Sequence, residues 1–424
     1  MKTKNATHSL SVLFILGTMM SVSAVELTDV EKAQGWKVLF DGKSFAGWRS
    51  YQQKGVGKGW KVVDGVMHHT QGGGDLITEK QYEDYELSLE WKISEKGNSG
   101  IFLAAQETSG PIYHTGIEMQ ILDDKKHPDG VHEKHRSGGC YGLYKPPADA
   151  VKEVGQWNKV HIVKQGDHYR FYLNGIKTAD FKTEGDDFKN RVANSKFSKW
   201  PYFGRHNKGH IGLQDHGDAV SFRHIKLREL NPVQLFNGAD IKNWDHFLNG
   251  DTPADKTWSV VDGVLKCTGN PAGYLMTKND YRDYQIDLEW RWVPGQRAGN
   301  SGLLLHAVAG SQEVGHWPKC LEAQLMTGQA GDFYTLGYGI TVTDMDTRHQ
   351  GRRLQNLTDD SEKAHGEWNH MRTVCRGGEV TVFVNGELVN YGYGCTAQQG
   401  RICLQSEGAP IEFRKAVLTP IPGK

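Results

Sequence analysis

The chain carries one series of motifs twice, in the same order. "VLFDGKSFAGW" (Val38–Trp48) returns as "QLFNGADIKNW" (Gln234–Trp244), and Gly-Asn-Ser-Gly occurs at Gly97–Gly100 and again at Gly299–Gly302, each time just before an apolar run. A repeating unit of roughly 190–200 residues has the size of a whole domain and not of a solenoid repeat. The sequence therefore predicts two tandem domains built on one plan.

The boundary between the copies falls in "LRELNPVQLF", near Asn231. We expect the first domain to comprise residues 25–230 and the second residues 231–424. Each copy holds a complete set of motifs, so each domain should have its own hydrophobic core.

Residues 1–24 have the pattern of an export signal. Lys2 and Lys4 precede the apolar stretch Leu10–Met20, which is too short to span a bilayer, and Val22–Ala24 resembles a signal-peptidase site. The mature chain is expected to begin near Val25 and to be periplasmic or secreted. No later stretch has the length of a membrane span.

Alternating hydrophobicity within each copy indicates β-strands. Tyr85–Ile93 places Leu87, Leu89 and Trp91 on one side and charged or polar residues on the other, a period of two that is typical of a half-buried strand. Asn-Gly turns and many glycines favour antiparallel hairpins. Long amphipathic helices are absent, so the expected fold class is all-β, with a sandwich in each copy.

Composition excludes some functions and leaves others open. Lys plus Arg equal Asp plus Glu at 50 each, so nothing marks a nucleic-acid or acidic-membrane partner. The 12 Trp and 16 Tyr could stack on sugar rings, although most such residues belong to cores. The six cysteines contain no Cys-x-x-Cys pair, and both disulfides and buried thiols are compatible with export.

Several motifs together resemble the 3-keto-disaccharide hydrolase family, formerly a domain of unknown function. In the first copy they are "LFDGKSFAGW", "GNSGIFL", "IEMQILDDKKHPDG", "GQWNKVHIV" and "IGLQDHGDAVSFRHIKL"; in the second, "GNSGLLL", "HWPKCLEAQLMTGQAGDFY" and "LQSEGAPIEFR" resemble a different branch. The resemblance implies two concanavalin A-like jelly rolls, whose concave faces ordinarily hold carbohydrate, and an enzyme that cleaves glycosides oxidised to a ketone at C3 of the sugar.

Such a ketone makes the hydrogen on C2 acidic and places the glycosidic oxygen on C1 beta to the carbonyl. Removal of that hydrogen and expulsion of the leaving sugar, with or without later addition of water, would cleave the bond. This route needs a base at C2, an electrophile at the C3 oxygen and an acid at the leaving oxygen. A divalent metal could be the electrophile.

The strand Ile117–Leu122 supplies the first candidates. Glu118 and Gln120 share one face, where they could bind sugar hydroxyls or transfer protons, while the alternating apolar residues should face the core. A merely solvated strand face is the alternative. The second copy retains the pair as Glu322 and Gln324.

A second candidate segment, "LQDHG", contains Gln214 and His216, and an imidazole titrates near neutral pH. The second copy has Gln405 and Glu407 at these places, so the two domains are expected to differ in substrate, rate or role. The alternative for His216 is a plain surface residue.

The Gly-Asn-Ser-Gly turns could also present Asn98 and Asn300 to a ligand, although a turn alone would explain them.

Residues 123–142 form a loop rich in His and Asp. His127, His135 and Asp123 are the candidate ligands of a divalent metal, although such residues are commonly just solvated. Arg136 could bind a substrate oxygen, and Tyr141 could stack on a sugar or donate a hydrogen bond. No cofactor is required by the sequence beyond this hypothetical metal.

Two other functions stay open. A carbohydrate-binding module would share the fold without the chemistry, and a glucanase would need paired carboxylates on one strand face, where this chain has Glu118 beside Gln120. "GVGKGW" at Gly55 is not a dinucleotide fingerprint. The ketone would therefore have to come from a separate sugar 3-oxidoreductase.

Overall fold

The computed structural model describes residues 25–358 and 361–423, so the predicted signal peptide, residues 1–24, lies outside the described residues. Two antiparallel β-sandwiches follow one another along the chain, as the repeat predicts. The first includes helices α1 (Asp29–Ala33) and α2 (Asp186–Ala193) and 3-10 turns at Ile112–His114, Pro128–Val131, Glu133–His135 and Lys196–Lys199. Its strands are β1 (Trp36–Val38), β2 (Trp48–Ser50), β3 (Trp60–Val63), β4 (Val66–His69), β5 (Leu76–Thr78), β6 (Tyr85–Ile93), β7 (Asn98–Ala105), β8 (Ile117–Leu122), β9 (Asn158–Gln165), β10 (His168–Leu173), β11 (Ile176–Lys182), β12 (His210–Leu213) and β13 (Val220–Glu229).

The second sandwich includes helix α3 (Met345–Arg348) and a 3-10 turn at Ala254–Lys256. Its strands are β14 (Val233–Gln234), β15 (Trp244–Leu248), β16 (Trp258–Val261), β17 (Val264–Cys267), β18 (Gly273–Thr277), β19 (Tyr284–Trp292), β20 (Gly302–Ala307), β21 (Cys320–Gln324), β22 (Phe333–Leu336), β23 (Thr341–Val342), β24 (His349–Gln350), β25 (Arg353–Leu354), β26 (Asn369–Arg376), β27 (Glu379–Val384), β28 (Glu387–Tyr393), β29 (Arg401–Ser406) and β30 (Ile411–Pro420).

The two sandwiches share one strand order. The larger sheets run β11-β10-β9-β6-β13-β4-β3 and β28-β27-β26-β19-β30-β17-β16. In the second sheet β23 adds to the outer side of β28. The short strands β1 and β14 pair with β13 and β30. The smaller sheet of the first sandwich runs β2-β5-β12-β7-β8, and its counterpart begins β15-β18-β29-β20-β21 and then continues into β22, β25 and β24. The repeat in sequence is thus a repeat in topology, and the fold is all-β with two jelly-roll sandwiches.

The alternation of apolar and polar residues along the strands explains which side chains form the hydrophobic cores. Leu87, Leu89 and Trp91 of β6 are buried in the core of the first sandwich, which the alternation in Tyr85–Ile93 predicts. Each fully buried side chain of this size stabilises the fold by about 1.5–3 kcal/mol. Trp290 lies in the separate core of the second sandwich.

A small set of polar contacts joins the sandwiches. The Gln34 side-chain amide donates to Asp283 over 2.8 Å, and the buried Arg228 guanidinium donates to the carbonyl oxygen of Ile421. Arg228 also pairs with Glu86 within the first sandwich, at 2.6 Å. Among the described residues no helix is long and apolar enough to cross a membrane.

The copies differ most in two connections. Residues 183–209, which include α2, join β11 to β12 in the first sandwich, whereas only residues 394–400 join β28 to β29 in the second. Conversely, residues 325–368 add strands β22–β25 after β21, whereas residues 123–157 fill that place in the first sandwich mainly with loops and 3-10 turns. Both connections contribute residues to the sites described next.

Candidate functional site

The polar candidates of the first copy lie on the face of the smaller sheet that points away from the core. Leu76, Leu213, Ile101 and Met119 form one cross-strand row, and all four belong to the core cluster. Their strand neighbours must therefore point to the opposite face. Glu118, which precedes Met119 on β8, lies on this polar face as predicted.

Gly100 makes room for the Glu118 carboxyl group. A Cβ atom placed on Gly100 would lie 2.3 Å from Glu118 Oε1, far inside van der Waals contact. The two strands are paired so that Gly100 lies opposite Gln120 and Phe102 lies opposite Glu118. Gly100 lies within β7 and not in the turn that the Gly-Asn-Ser-Gly motif predicts, so packing against Glu118 is what requires a glycine there.

The other residues of the motif also have definite contacts. The Ser99 hydroxyl donates to the carbonyl oxygen of Gln214 over 2.9 Å, which ties β7 to the end of β12. The Asn98 side chain accepts from Gln120 Nε2 at 3.4 Å and lies 3.5 Å from His216 Nε2. The structure thus brings Asn98, Gln120 and His216 into contact on the sheet that carries Glu118, with Gln214 at the adjoining end of β12.

Burial controls the protonation of Glu118. Loss of solvent raises the pKa of this carboxyl to about 8; the charge of Lys196 opposes the shift, and Asp75 and Asp129 add to it. At pH 7 the group is mostly protonated, so it can donate a hydrogen bond or a proton. Lys196 and Asp75 are site residues that sequence reasoning missed, whereas Asp129 belongs to the His- and Asp-rich loop at residues 123–142.

Asp75 reaches the site from the start of β5. Its Oδ1 accepts from the backbone N–H of Asp215 over 2.9 Å, and Asp215 in turn pairs with His69 at 3.0 Å. Burial raises the pKa of Asp75 to about 6. Asp75 follows a run of three glycines and has no strand alternation around it, so sequence gives no signal for it beyond its charge.

Tyr141 closes the open edge of β8. Its backbone N–H donates to the Glu118 carbonyl over 3.1 Å, and its hydroxyl donates to Asp129 over 3.0 Å. Its ring stacks on His135 at 4.5 Å, and Lys196 Nζ lies 4.3 Å from its centroid. Burial and the neighbouring carboxylates raise the pKa of the Tyr141 hydroxyl.

The three predicted metal ligands do not converge. Asp123 accepts from the backbone N–H groups of Lys96 and Lys125, His127 Nδ1 accepts from the backbone of Asp129, and His135 pairs with Asp129 instead. Within residues 25–358 and 361–423, no group of three His, Cys, Asp or Glu side chains is arranged to hold a metal ion.

Arg136 is also directed away from Glu118. Its Nε donates to the carbonyl oxygen of Gly130 over 2.9 Å, and the side chain lines a separate cleft with Asp123 and Asp124.

The second sandwich reproduces the central arrangement. A Cβ atom on Gly302 would lie 2.2 Å from Glu322 Oε1, and the Ser301 hydroxyl donates to the Gln405 carbonyl over 2.8 Å. Burial raises the pKa of Glu322 to about 8, the nearby Glu407 adds to the shift, and Arg352 opposes it. Burial also raises the pKa of Glu407, so this site combines two carboxyl groups.

A second equivalence emerges only from the structure. Tyr334 of β22 lies directly opposite Glu322, the relationship that Tyr141 has to Glu118. Its hydroxyl donates to Gln329 over 3.2 Å, where Tyr141 has Asp129. Gly-x-x-Tyr occurs in both "GGCY" and "GDFY", so this shared spacing could have revealed the pair.

Some buried side-chain oxygens on these faces have no hydrogen-bond donor among the described residues. They include four from these two sites: Gln214 Oε1, Asn300 Oδ1, Glu322 Oε1 and Gln405 Oε1. Buried polar atoms are nearly always paired, so a ligand rich in hydroxyl groups would suit both faces. Gln324 differs, because its Oε1 already accepts from the backbone of Leu325 and Met326.

Each copy is thus a jelly roll that carries a buried carboxyl group, amides and a tyrosine on the polar face of its smaller sheet. The chain belongs to the 3-keto-alpha-glucoside-1,2-lyase-like domain family, whose profile matches residues 35–228 and 231–419. It is 32% identical over 246 residues to a 3-keto-disaccharide hydrolase of Bacteroides thetaiotaomicron, an alignment that covers 50% of this chain and 85% of the relative.

Similar solved structures include a candidate glycosyl hydrolase from Parabacteroides distasonis, which is 32% identical in sequence, with a TM-score of 0.47. The alignment covers 49% of this chain and 99% of that protein. A β-glucanase from Bacillus licheniformis is 12% identical, with a TM-score of 0.33, and covers 45% of this chain and 97% of its own.

Proposed function

We propose that the first sandwich cleaves the glycosidic bond of 3-keto glycosides, disaccharides above all, by removing the C2 proton and eliminating the leaving sugar. Family membership and the relationship to a 3-keto-disaccharide hydrolase support a glycoside-cleaving activity of this kind. The observation that carries the proposal is the Glu118 carboxyl, which is buried over Gly100 with a pKa of about 8 and is therefore a proton donor at neutral pH.

Each chemical role has a candidate. The His216 imidazole, held beside Asn98, takes the proton from C2. The electrons of that C–H bond form an enolate whose oxygen, on C3, lies near the ammonium group of Lys196. Re-formation of the ketone makes the C1–C2 double bond and breaks the bond from C1 to the leaving oxygen, which receives its proton from Glu118.

Addition of water to the product of elimination would complete hydrolysis of the glycosidic bond. Addition of hydroxide to C1 and of a proton to C2 converts the unsaturated product to the free 3-keto sugar. The sum of elimination and hydration is hydrolysis, which reconciles a family described as lyase-like with a relative described as a hydrolase.

The neighbour of Glu118 argues against glucanase chemistry. A retaining glucanase needs a second carboxylate about 5–5.5 Å from the first to attack the sugar, and the next residue of β8 on this face is the amide Gln120. The nearby carboxyl groups of Asp75 and Asp129 are instead bonded to the backbone of Asp215 and to the Tyr141 hydroxyl. A ketone removes the need for a nucleophile because it acidifies C2. A separate oxidoreductase that oxidises the C3 hydroxyl would have to supply the substrate.

Export belongs to the same proposal. The signal in residues 1–24 would place the enzyme in the periplasm or outside the cell. Sequencing the N-terminus of protein recovered from the periplasmic fraction should give a chain that starts near Val25; an intact Met1 there would contradict the proposal.

The decisive experiment compares oxidised and unoxidised sugars. The purified protein should cleave a 3-keto disaccharide and leave the parent disaccharide intact, and deuterium at C2 should slow cleavage or be lost to solvent. Equal cleavage of both sugars, or full retention of the C2 label, would contradict the elimination route. Binding of either sugar without cleavage would indicate a carbohydrate-binding module instead.

A further inference from the structure

The larger sheet of the first sandwich has a row of polar and aromatic side chains on its outer face. Ser88 alternates with core residues along β6, so it points away from the core. It lies in one cross-strand row with Lys226 of β13, His161 of β9 and Tyr172 of β10. Since Glu118 lies on the outer face of the smaller sheet, the whole thickness of the sandwich separates it from this row.

The small side chain of Ser88 leaves a depression in the row, which we call the outer groove. Its volume is about 460 Å³, and Trp36, Lys159 and Tyr172 line it together with Ser88. Trp36 belongs to β1 and Tyr172 to β10, four strand spacings or about 19 Å apart. Ser88 and Lys159 also border an adjoining hollow of about 450 Å³. Hollows of this size are typical of ligand sites.

The outer groove offers hydrogen-bond donors that nothing in the protein uses. Ser88 is only 7% exposed, yet its hydroxyl has no hydrogen-bond partner among the described residues. Lys159 is exposed and has no ion pair in residues 25–358 and 361–423. The charge of Lys226, in contrast, is compensated by Glu31. Because most charges lining the groove are paired, an uncharged ligand rich in hydroxyl groups suits it better than an ion.

Two partly buried aromatic rings add apolar surface to the outer groove. The Tyr172 ring stacks on His161, with ring centroids 5.5 Å apart. The Trp36 indole donates to Gln34 Oε1 over 3.1 Å, and Lys226 Nζ lies 5.5 Å from its ring centroid. These contacts hold both rings in place before a ligand binds, which reduces the entropy lost on binding. Rigid rings beside a few polar groups can stack on the apolar faces of sugars and bond their hydroxyls.

The second sandwich fills the corresponding place with its own side chains. Asp287 replaces Ser88 there, and its carboxylate pairs with His370 over 2.8 Å and accepts from Arg372 over 3.0 Å. The polar groups of this row therefore bond one another. The shared fold thus does not require an open groove at this position, and the first sandwich has one of its own.

We propose that the outer groove is a second carbohydrate-binding site of the first sandwich, which holds an uncharged oligosaccharide on the face opposite Glu118. Sugar rings stack on Trp36 and Tyr172, and sugar hydroxyls bond with Ser88 and Lys159. No covalent bond changes here, so the site retains the protein on a glycan while the smaller sheet stays accessible. The inference goes beyond the proposed function and does not depend on it.

Calorimetric titration of the purified protein with two uncharged trisaccharides, cellotriose and maltotriose, tests this site. At least one should bind, and Trp36→Ala and Tyr172→Ala should each weaken its binding ~10-fold or more. Ser88→Asp should do the same, because the new carboxylate pairs with neighbouring cations and closes the floor. Lys159→Ala, an exposed change that should not disturb the fold, should weaken binding ~5-fold, the usual effect of one lost hydrogen bond.

The second sandwich supplies a matched control. Phe383 has the place of Tyr172, and Phe383→Ala should leave trisaccharide binding unchanged. Thermal melting identifies any variant that fails to fold. Turnover of a 3-keto disaccharide should be the same with and without Lys159→Ala. It is measured in the Glu322→Gln background, which removes the corresponding carboxyl group of the second sandwich.

Three results would overturn the proposal. The first is that neither trisaccharide binds. The second is that Asn98→Ala, on the opposite face, abolishes all binding while Trp36→Ala and Lys159→Ala change none. The third is that a trigalacturonate binds more tightly than the uncharged probes and is released by salt, which would indicate an anion site. Lack of turnover of 3-keto glycosides would contradict the proposed function and leave the binding result standing.

Discussion

The carboxyl group of Glu118 occupies the space that a side chain on Gly100 would fill, with Oε1 only 2.3 Å from the position of the absent Cβ. Glu322 and Gly302 have the same relationship, at 2.2 Å. A glycine on one strand thus fixes where a carboxyl group on the next strand can lie. Both copies keep this pair, although much of their sequence has diverged.

Gly100→Ala should impair the first site more than the fold. The new methyl group would push the Glu118 carboxyl from its place, and a displacement of about 1 Å can cost ~100-fold in rate. Overpacking should cost about 1–3 kcal/mol of stability. Turnover of a 3-keto disaccharide in the Glu322→Gln background measures the first effect, and thermal melting the second.

Gly55→Ala is the control for that change, since a Cβ there has no heavy atom within 4 Å. It should match the parent protein in both measurements. A Gly100→Ala enzyme of normal activity would show that the position of the Glu118 carboxyl does not matter.

Stability should fall with rising pH because of the buried glutamates. The folded-state pKa of Glu118 is about 8 against an ordinary value of 4.5, so its contribution is complete below pH 4.5 and is lost as pH rises towards 8 and beyond. The loss is on the order of 5 kcal/mol. Glu118→Gln removes the ionisable group and keeps the shape.

Thermal melts of wild type and Glu118→Gln at pH 5 and pH 9 would test this. The variant should match wild type at pH 5 and melt several degrees higher at pH 9. Glu322→Gln should behave alike, since the pKa of Glu322 is also about 8. A constant difference across the range would contradict the burial of an ionisable carboxyl at these positions.

Substrates with different leaving groups should distinguish the proposed acid, Glu118, from the proposed base, His216. In the Glu322→Gln background, Glu118→Gln should slow cleavage of a 3-keto disaccharide by about 100- to 10,000-fold but hardly slow a 3-keto aryl glycoside, because an acidic phenol needs no proton to depart. His216→Ala should slow both alike, because both require removal of the C2 proton.

His168→Ala, a histidine on the larger sheet paired with Asp180, should slow neither substrate. If Glu118→Gln impaired both substrates equally while His216→Ala impaired neither, the two assignments would have to be exchanged or abandoned.

Separate production of residues 25–230 and 231–424 should give two folded domains. Each has its own core, and the side-chain hydrogen bonds seen between the halves, in the part of the chain that the structure describes, join Gln34 to Asp283 and Arg228 to Ile421. The first half should lose a little stability because Arg228 loses one acceptor. Each half should show a cooperative melt by calorimetry; a molten second half would show that it depends on the first.

Sequence periodicity predicts the parts of the site that lie on regular strands. The alternation in "IEMQIL" places Glu118 and Gln120 on one face, and the repeat identifies Glu322 and Gln324 as their partners. Lys196, Asp75 and Arg352 escape such reasoning, because they reach the site from irregular connections of different length in each copy. The prediction of a metal site at His127, His135 and Asp123 was based on their closeness in sequence. In the folded loop these side chains contact different backbone and carboxylate groups.

The shared strand order also bears on how the chain reaches its native state. Two sets of strands with matching registers could exchange partners during synthesis and join the wrong halves. All strand pairings of the first sandwich lie between β1 and β13, which ends at Glu229. The first sandwich can therefore close before the ribosome has made β29 and β30, the central strands of the second sandwich. The order of translation thus disfavours pairing between strands of different copies.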